Sequence, residues 1–271
     1  AETTEQTRAS LAARGRTPIQ VLADTGVLDQ PTILAHCCGV TETDIALMAG
    51  KPCGVAHAPK TYLKLAMGAA PVTAFREAGV AVGLATDGAV SNNTLDVLES
   101  LRLMAMVQKH ESGDSRRLTV GEALTVATRE SARVYALPDD LGHVAPGFLA
   151  DVALVDLSGP HNQPAHDVAA NLVYSARASD VQTVICDGKV LMRDRELLTL
   201  DKNEIIATRG LIDSRRAKSA ASLAGLPRSA SRRVSISSRS LMLAAHEAST
   251  SSVASCYARC AGKHHLPQSS T

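Results

Sequence analysis

The stretch AVGLATDGAVSNN, Ala81 to Asn93, decides how the chain is read. Val82 and Leu84 alternate with Ala81, Gly83 and Ala85, a run of small and branched apolar residues that suits a short strand covered on both faces. The run ends in Asp87. In parallel α/β architectures, loops at the C-terminal ends of strands build the reactive site, so a carboxylate there is a candidate ligand or base. Taken alone, the stretch favours a plainer reading, an Asp that caps the following helix.

The neighbouring segments change that balance. Upstream, PTILAHCC and CGVAH read as two more short buried strands, one ending at His36 and the other at His57. Helical patterns separate them. TETDIALMAG has Thr41 as cap and Asp44 in the capping-box position, and PVTAFREAG precedes the strand of Asp87. Earlier still, TTEQTRASLAARG predicts a helix ending at Gly15, and TPIQVLADTG one that starts from Thr17 and Pro18 and stops at Gly26. Downstream, Leu95, Leu98, Leu101 and Met104 recur at helical spacing, and Thr119 caps TVGEALTVATRESARVYAL. Repeated strand–helix units predict a parallel sheet or barrel, because each parallel pair needs a helical crossover. Three successive strands ending in His36, His57 and Asp87 would bring imidazole and carboxylate groups to one rim.

Composition narrows the function classes. The 271 residues are 45% hydrophobic and 20% charged, and no apolar run approaches the roughly 20 residues of a membrane span. Aromatics make up 2% and Trp is absent, which suits an Ala, Val and Leu core rather than a stacking surface for nucleic acid. Cys37, Cys38, Cys53, Cys186, Cys256 and Cys260 show no disulfide-framework spacing, so a reduced, cytoplasmic setting is expected. No charged-then-apolar leader follows Ala1, and no secretory signal is expected. The net charge of +1 conceals a contrast: residues 210–271 hold nine Lys or Arg against two Asp or Glu, leaving 19 basic and 25 acidic groups elsewhere. Residues 1–137 are expected to form the α/β body. Residues 138–209, with PGFLADVALVDL and a hairpin turning at Asp187-Gly188, form a β segment, and 210–271 a basic, Ser/Arg-rich, disordered tail.

His and Asp from different strand ends are what a zinc-like ion takes when one position stays open for water. On this reading His36 and Asp87 are metal ligands. His57 is the catalytic imidazole that polarises or contacts substrate, and a carboxylate moves the proton.

The segments ILAHCCGVTETDIALMA, GVAHAPKTYLKLAMGAAPV, AGVAVGLATDGAVSNNTLDVLESLRL and PGFLADVALVDL together resemble the metal-dependent amidohydrolase superfamily. They are most similar to its branch of aminopurine and cytosine deaminases, methylthioadenosine and S-adenosylhomocysteine deaminases and triazine chlorohydrolases. The resemblance runs from residue 1 to about Ile206 and implies the C-terminal half of a (β/α)8 barrel, strands five to eight, with part of a β-sandwich. It implies one divalent metal, zinc with iron as the alternative, and a small N-heterocyclic substrate. The fifth-strand histidine matches His36, the sixth-strand histidine His57 and the eighth-strand aspartate Asp87, which also accepts a proton from the attacking water. Ser91, Asn92 and Asn93 match the loop that orders the site, with Ser91 and Asn92 as substrate contacts.

Two departures stand out. The family's His-x-His pair occurs nowhere in the chain, and the glutamate that many of these deaminases carry three residues after the fifth-strand histidine is Gly39 here. A hydrolase of weak or no activity is therefore expected unless a complementary fragment supplies the other half, and a homo-oligomer is the other partner expected. The alternative is a non-catalytic binding or oligomerisation module. A tail-directed nucleic-acid binder and a zinc cluster of Cys256, Cys260, His264 and His265 are the lesser readings.

Overall fold

The structure, a computed structural model, describes residues 1–208. The basic tail and the cluster of Cys256, Cys260, His264 and His265 lie outside the described residues.

Local signals place most elements. Helix α1 (Thr4–Arg14) starts where the Thr3 hydroxyl accepts the Gln6 N–H and ends at Gly15, whose φ of 63° is costly for residues with a Cβ. Helix α2 (Pro18–Asp24) opens on a reciprocal capping box of Thr17 and Gln20. After strand β1 (Thr32–Ala35), helix α3 (Glu42–Met48) opens on a second box, Thr41 with Asp44. The two boxes are joined, because the Thr17 hydroxyl also donates to the buried Asp44 carboxylate. Strand β2 (Cys53–His57) leads into α4 (Pro59–Leu65) and α5 (Val72–Glu77), and strand β3 (Ala81–Leu84) into the short α6 (Ala89–Asn92). The long α7 (Val97–Ser112) follows, then α8 (Val120–Thr125) and α9 (Ser131–Val134), joined through a π-helical turn at Val126–Glu130.

The first three strands form a parallel sheet in the order β1-β2-β3. Leu34, Val55 and Val82 stand abreast and buried, in one core with Ile19, Met48, Phe75, Met104 and Val126. The expected four barrel strands are three among the described residues. β2 pairs directly with β3, Val55 beside Val82 and Ala56 beside Gly83, and the whole segment between them is the helical crossover of α4 and α5. No strand therefore lies between His57 and Asp87. On the opposite face, α9 lies so close that a Cβ on Gly54 would sit 2.8 Å from Val134 Cγ2, and one on Gly83 would sit 3.1 Å from Ser131 Cα. Ser131 Oγ meanwhile accepts the Leu84 N–H at 3.0 Å. The outer strand β1 has no such cover: Ile33 is 44% exposed.

The β segment begins with β4 (Val152–Val155), followed by α10 (Val168–Tyr174), β5 (Val181–Cys186), β6 (Lys189–Arg193) and β7 (Glu196–Leu197). The four strands pair antiparallel in chain order. Asp187 and Gly188, with φ of 50° and 72°, make the tight turn that the Asp-Gly pair predicts. Residues Ala1–Asp201 make one compact unit, with Val173 of α10 buried in the main core.

Among the described residues Gly39 is the glycine with least room. A Cβ there would lie 2.2 Å from Thr3 O and 2.3 Å from Thr3 C, backbone atoms that cannot rotate away. Its N–H donates to Ala1 O at 3.2 Å, and its carbonyl accepts the Thr7 hydroxyl at 2.6 Å. Gly39→Ala is expected to destabilise by about 1–3 kcal/mol by displacing the first residues. Gly121→Ala, where a Cβ meets nothing within 4 Å, should be neutral or stabilising. Thermal unfolding of the two variants checks this; equal midpoints would contradict the packing described.

Candidate active site

Parallel, in-register pairing brings the three expected residues to one rim. His36 follows β1 directly, its N–H still on the ladder to Ala56 O at 3.1 Å. It then turns the chain with a φ of 69°, and Cys37 follows at 58°. His57 closes β2, and Ala85 N–H donates to its carbonyl at 2.8 Å. Asp87 lies three residues beyond β3, exposed, with a φ of 65° and Oδ1 accepting the Gly88 N–H at 2.7 Å.

Their surroundings differ. His57 is 1% exposed, and neither ring nitrogen has a hydrogen-bond partner. Burial pushes its pKa down to about 3, so the ring is a neutral imidazole at physiological pH. His36 is half-buried, with Nδ1 also lacking a partner. Tyr62 of α4 stands edge-on to both rings, 5.7 Å from His36 and 5.2 Å from His57. Its hydroxyl accepts the Ala58 N–H at 2.7 Å, and burial raises its pKa, keeping it a neutral phenol. Cys37 and Cys38 are raised to about 11 and about 12, in each case mainly by burial, which leaves no thiolate nucleophile at this rim near neutral pH.

The loop after β3 is strained and tightly held. Asp87, Asn93 and Leu95 all have positive φ, at 65°, 74° and 53°. Such conformations cost on the order of 1–3 kcal/mol each and persist only where the surroundings impose them. Asn92 imposes much of this. Fully buried, it donates from Nδ2 to Thr86 O at 2.7 Å and accepts the Leu95 N–H on Oδ1 at 3.0 Å. Expected to contact substrate, it is instead engaged within the loop, because each backbone turn there leaves a polar group that needs a partner. The Ser91 hydroxyl likewise donates to Gly88 O at 3.1 Å, and Asn93 Oδ1 accepts from Lys64 at 2.8 Å.

Sequence reasoning missed α4. No side chain caps its start; Pro59 in the first turn was the available signal, and from it Lys60, Tyr62 and Lys64 follow at helical spacing. Glu2 was missed as well. It follows the residue whose carbonyl binds Gly39, and its charge contributes to raising the neighbouring Cys38 thiol.

The donors suit a zinc-like ion in kind: an unpartnered imidazole nitrogen and an exposed carboxylate. They fall short in number. Among the described residues no three His, Cys, Asp or Glu side chains form a metal-binding group. The exposed carboxylate of Asp87 fits as part of a larger set.

The sequence profile of the amidohydrolase family matches residues 1–191. The chain belongs to the amidohydrolase family. It is 45% identical over 207 residues to the 5-methylthioadenosine/S-adenosylhomocysteine deaminase of Pelotomaculum thermopropionicum, and equally to that of Moorella thermoacetica. Each match takes in 76% of this chain and 48% of the relative. The chain thus spans about half the length of the curated relatives it matches. Among solved structures, an adenosine deaminase from Xanthomonas campestris with bound zinc superposes with a TM-score of 0.76 at 34% identity, over 80% of this chain and 49% of that one. Atrazine chlorohydrolase from Arthrobacter aurescens, complexed with zinc, gives 0.68 at 29% identity, over 75% and 45%. Among the described residues no helix of this amidohydrolase is long and apolar enough to cross a membrane.

The state of His57 is directly testable. A base whose folded pKa lies below its unfolded value of about 6.5 stabilises the fold above that value, and the contribution falls as pH drops toward 3. The expected slope approaches one proton, about 1.4 kcal/mol per pH unit. The NMR signals of the His57 ring should not titrate above pH 5, and the slope should flatten in His57→Asn; a midpoint near 6.5 would contradict the burial described.

Proposed function

We propose that this chain carries part of the catalytic centre of a metal-dependent hydrolase acting on a carbon–nitrogen bond or ring substituent of an N-heterocycle. The observation that supports it best is Asp87, exposed at the C-terminal rim of β3, with His57 ending the neighbouring strand β2 and His36 following β1, the next strand along. The relatives' names make 6-amino purine nucleosides, with 5-methylthioadenosine first, the substrates to try. The zinc in the neighbouring structures favours zinc over iron.

On this reading Asp87 is a metal ligand and takes the proton of the attacking water. Bound there, the ion would supply the Lewis acidity that makes water nucleophilic near neutral pH. His36 was expected as a fifth-strand ligand, but β2 and β3 are direct neighbours. If β3 is the eighth barrel strand, β2 is the seventh and β1 the sixth. Substrate polarisation, the role that the resemblance attaches to the sixth-strand imidazole, then passes from His57 to His36, whose Nδ1 has no other partner. His57, enclosed under Tyr62, serves the fold. On the same count residues 1–3 would stand at the end of the fifth strand, and Glu2, in place of position 39, carries the proton-shuttle carboxylate.

A second reading, a non-catalytic binding module, is favoured by the uncovered β1, where Ile33 and Ala35 are exposed. One experiment separates the two. Ammonia release from 5-methylthioadenosine is measured with zinc for the chain alone and mixed with the part of the Moorella relative that it does not match. The chain alone should be inert and the mixture active, with activity lost in Asp87→Asn and on chelation. A stable but inert assembly would favour the binding module, and activity indifferent to Asp87→Asn would contradict the catalytic reading.

A further inference from the structure

The loop that presents Asp87 is held from outside by one side-chain network. Lys60, three residues after His57, donates to Glu99 Oε2 at 2.5 Å and to the Thr94 hydroxyl at 2.7 Å. The Thr94 hydroxyl accepts from Lys60 and has one proton to give, with Glu99 Oε2 at 2.7 Å and Asn92 Oδ1 at 3.1 Å as the two acceptors in its reach. Asn92 Nδ2 reaches the carbonyl of Thr86, the peptide that enters Asp87. The ion pair is sheltered, with the Lys60 side chain 20% exposed and that of Glu99 33%. It therefore keeps more of its strength than an open surface pair. Three left-handed residues between Asp87 and Leu95 leave the loop little intrinsic preference for this shape, and the network supplies the constraint.

We propose that Glu99, paired with Lys60 and acting through Thr94 and Asn92, is a positioning residue that fixes Asp87 toward the metal. The proposal rests on the reading of Asp87 as a metal ligand. Glu99 touches no reacting group; it acts as partners behind a first ligand do, and loss of such partners typically weakens metal binding 10–100-fold. Glu99→Ala removes the Oε2 that Lys60 and Thr94 share. Glu99→Gln keeps one amide oxygen for Lys60 and Thr94 while losing the charge, so it separates hydrogen-bonded positioning from bulk electrostatics.

Two measurements on the purified protein decide it. Hydrogen exchange of the Ser91, Asn92 and Asn93 amides, which close α6 onto Gly88 and Ala89, should be faster in Glu99→Ala and close to wild type in Glu99→Gln, with β2 amides unchanged. Zinc affinity of the chain mixed with the part of the Moorella relative that it does not match, from competition with a chromogenic chelator, should fall about tenfold in Glu99→Ala and recover in Glu99→Gln. Unchanged exchange in Glu99→Ala would overturn the proposal, and so would loop exchange that rises only in step with the β2 amides. Zinc binding that ignores Asp87→Ala would instead overturn the metal reading, while the exchange data still judge whether Glu99 holds the loop.

Discussion

Parallel pairing of β1, β2 and β3 in register is the constraint on which the site depends. It forces the three strands to end at one edge of the sheet, and each chain reversal there must be made by a loop rather than by a hairpin. Leu34, Val55 and Val82 hold the register, since a slip of one residue would turn each of them out of the core. The polar residues just past those ends, His36, His57 and Asp87, are gathered by backbone geometry before any contact among them is made.

Burial then gives them different tasks. His57 and Asp87 lie on adjacent strands, yet one ring is enclosed and neutral while the carboxylate meets solvent. Helix α4 is responsible for much of this difference. Tyr62 closes over the two imidazoles, while Lys60 and Lys64, on the same seven-residue helix, reach the loop beyond Asp87. A single short element thus adjusts all three strand ends.

What was legible in the sequence follows from how local its cause is. The caps at Thr17, Thr41 and Thr119, the stop at Gly15 and the turn at Asp187-Gly188 are each settled within a few residues, and the structure has all of them. The family resemblance was legible for the same reason, carried by short motifs around the strand ends. The number of parallel strands was not, because it depends on which strands become neighbours. Nor was the confinement of His57, which depends on Tyr62 arriving from a helix without a capping side chain. Asn92 reads as a site residue in the motif; only the three-dimensional loop shows its amide committed to Thr86 and Leu95. That position 39 has no room for a glutamate was equally hidden from the motif, since it depends on the backbone of Thr3 lying where a side chain would stand.

The most direct test of this account is a cobalt(II) titration followed residue by residue in NMR spectra, because paramagnetic broadening locates even a weakly held ion. The account predicts broadening centred on Asp87 and Gly88, extending to His36, and absent from the hairpin around Asp187. Broadening centred on the thiols of Cys37 and Cys53, or none at Asp87, would contradict the claim that the rim of this sheet is where the metal binds.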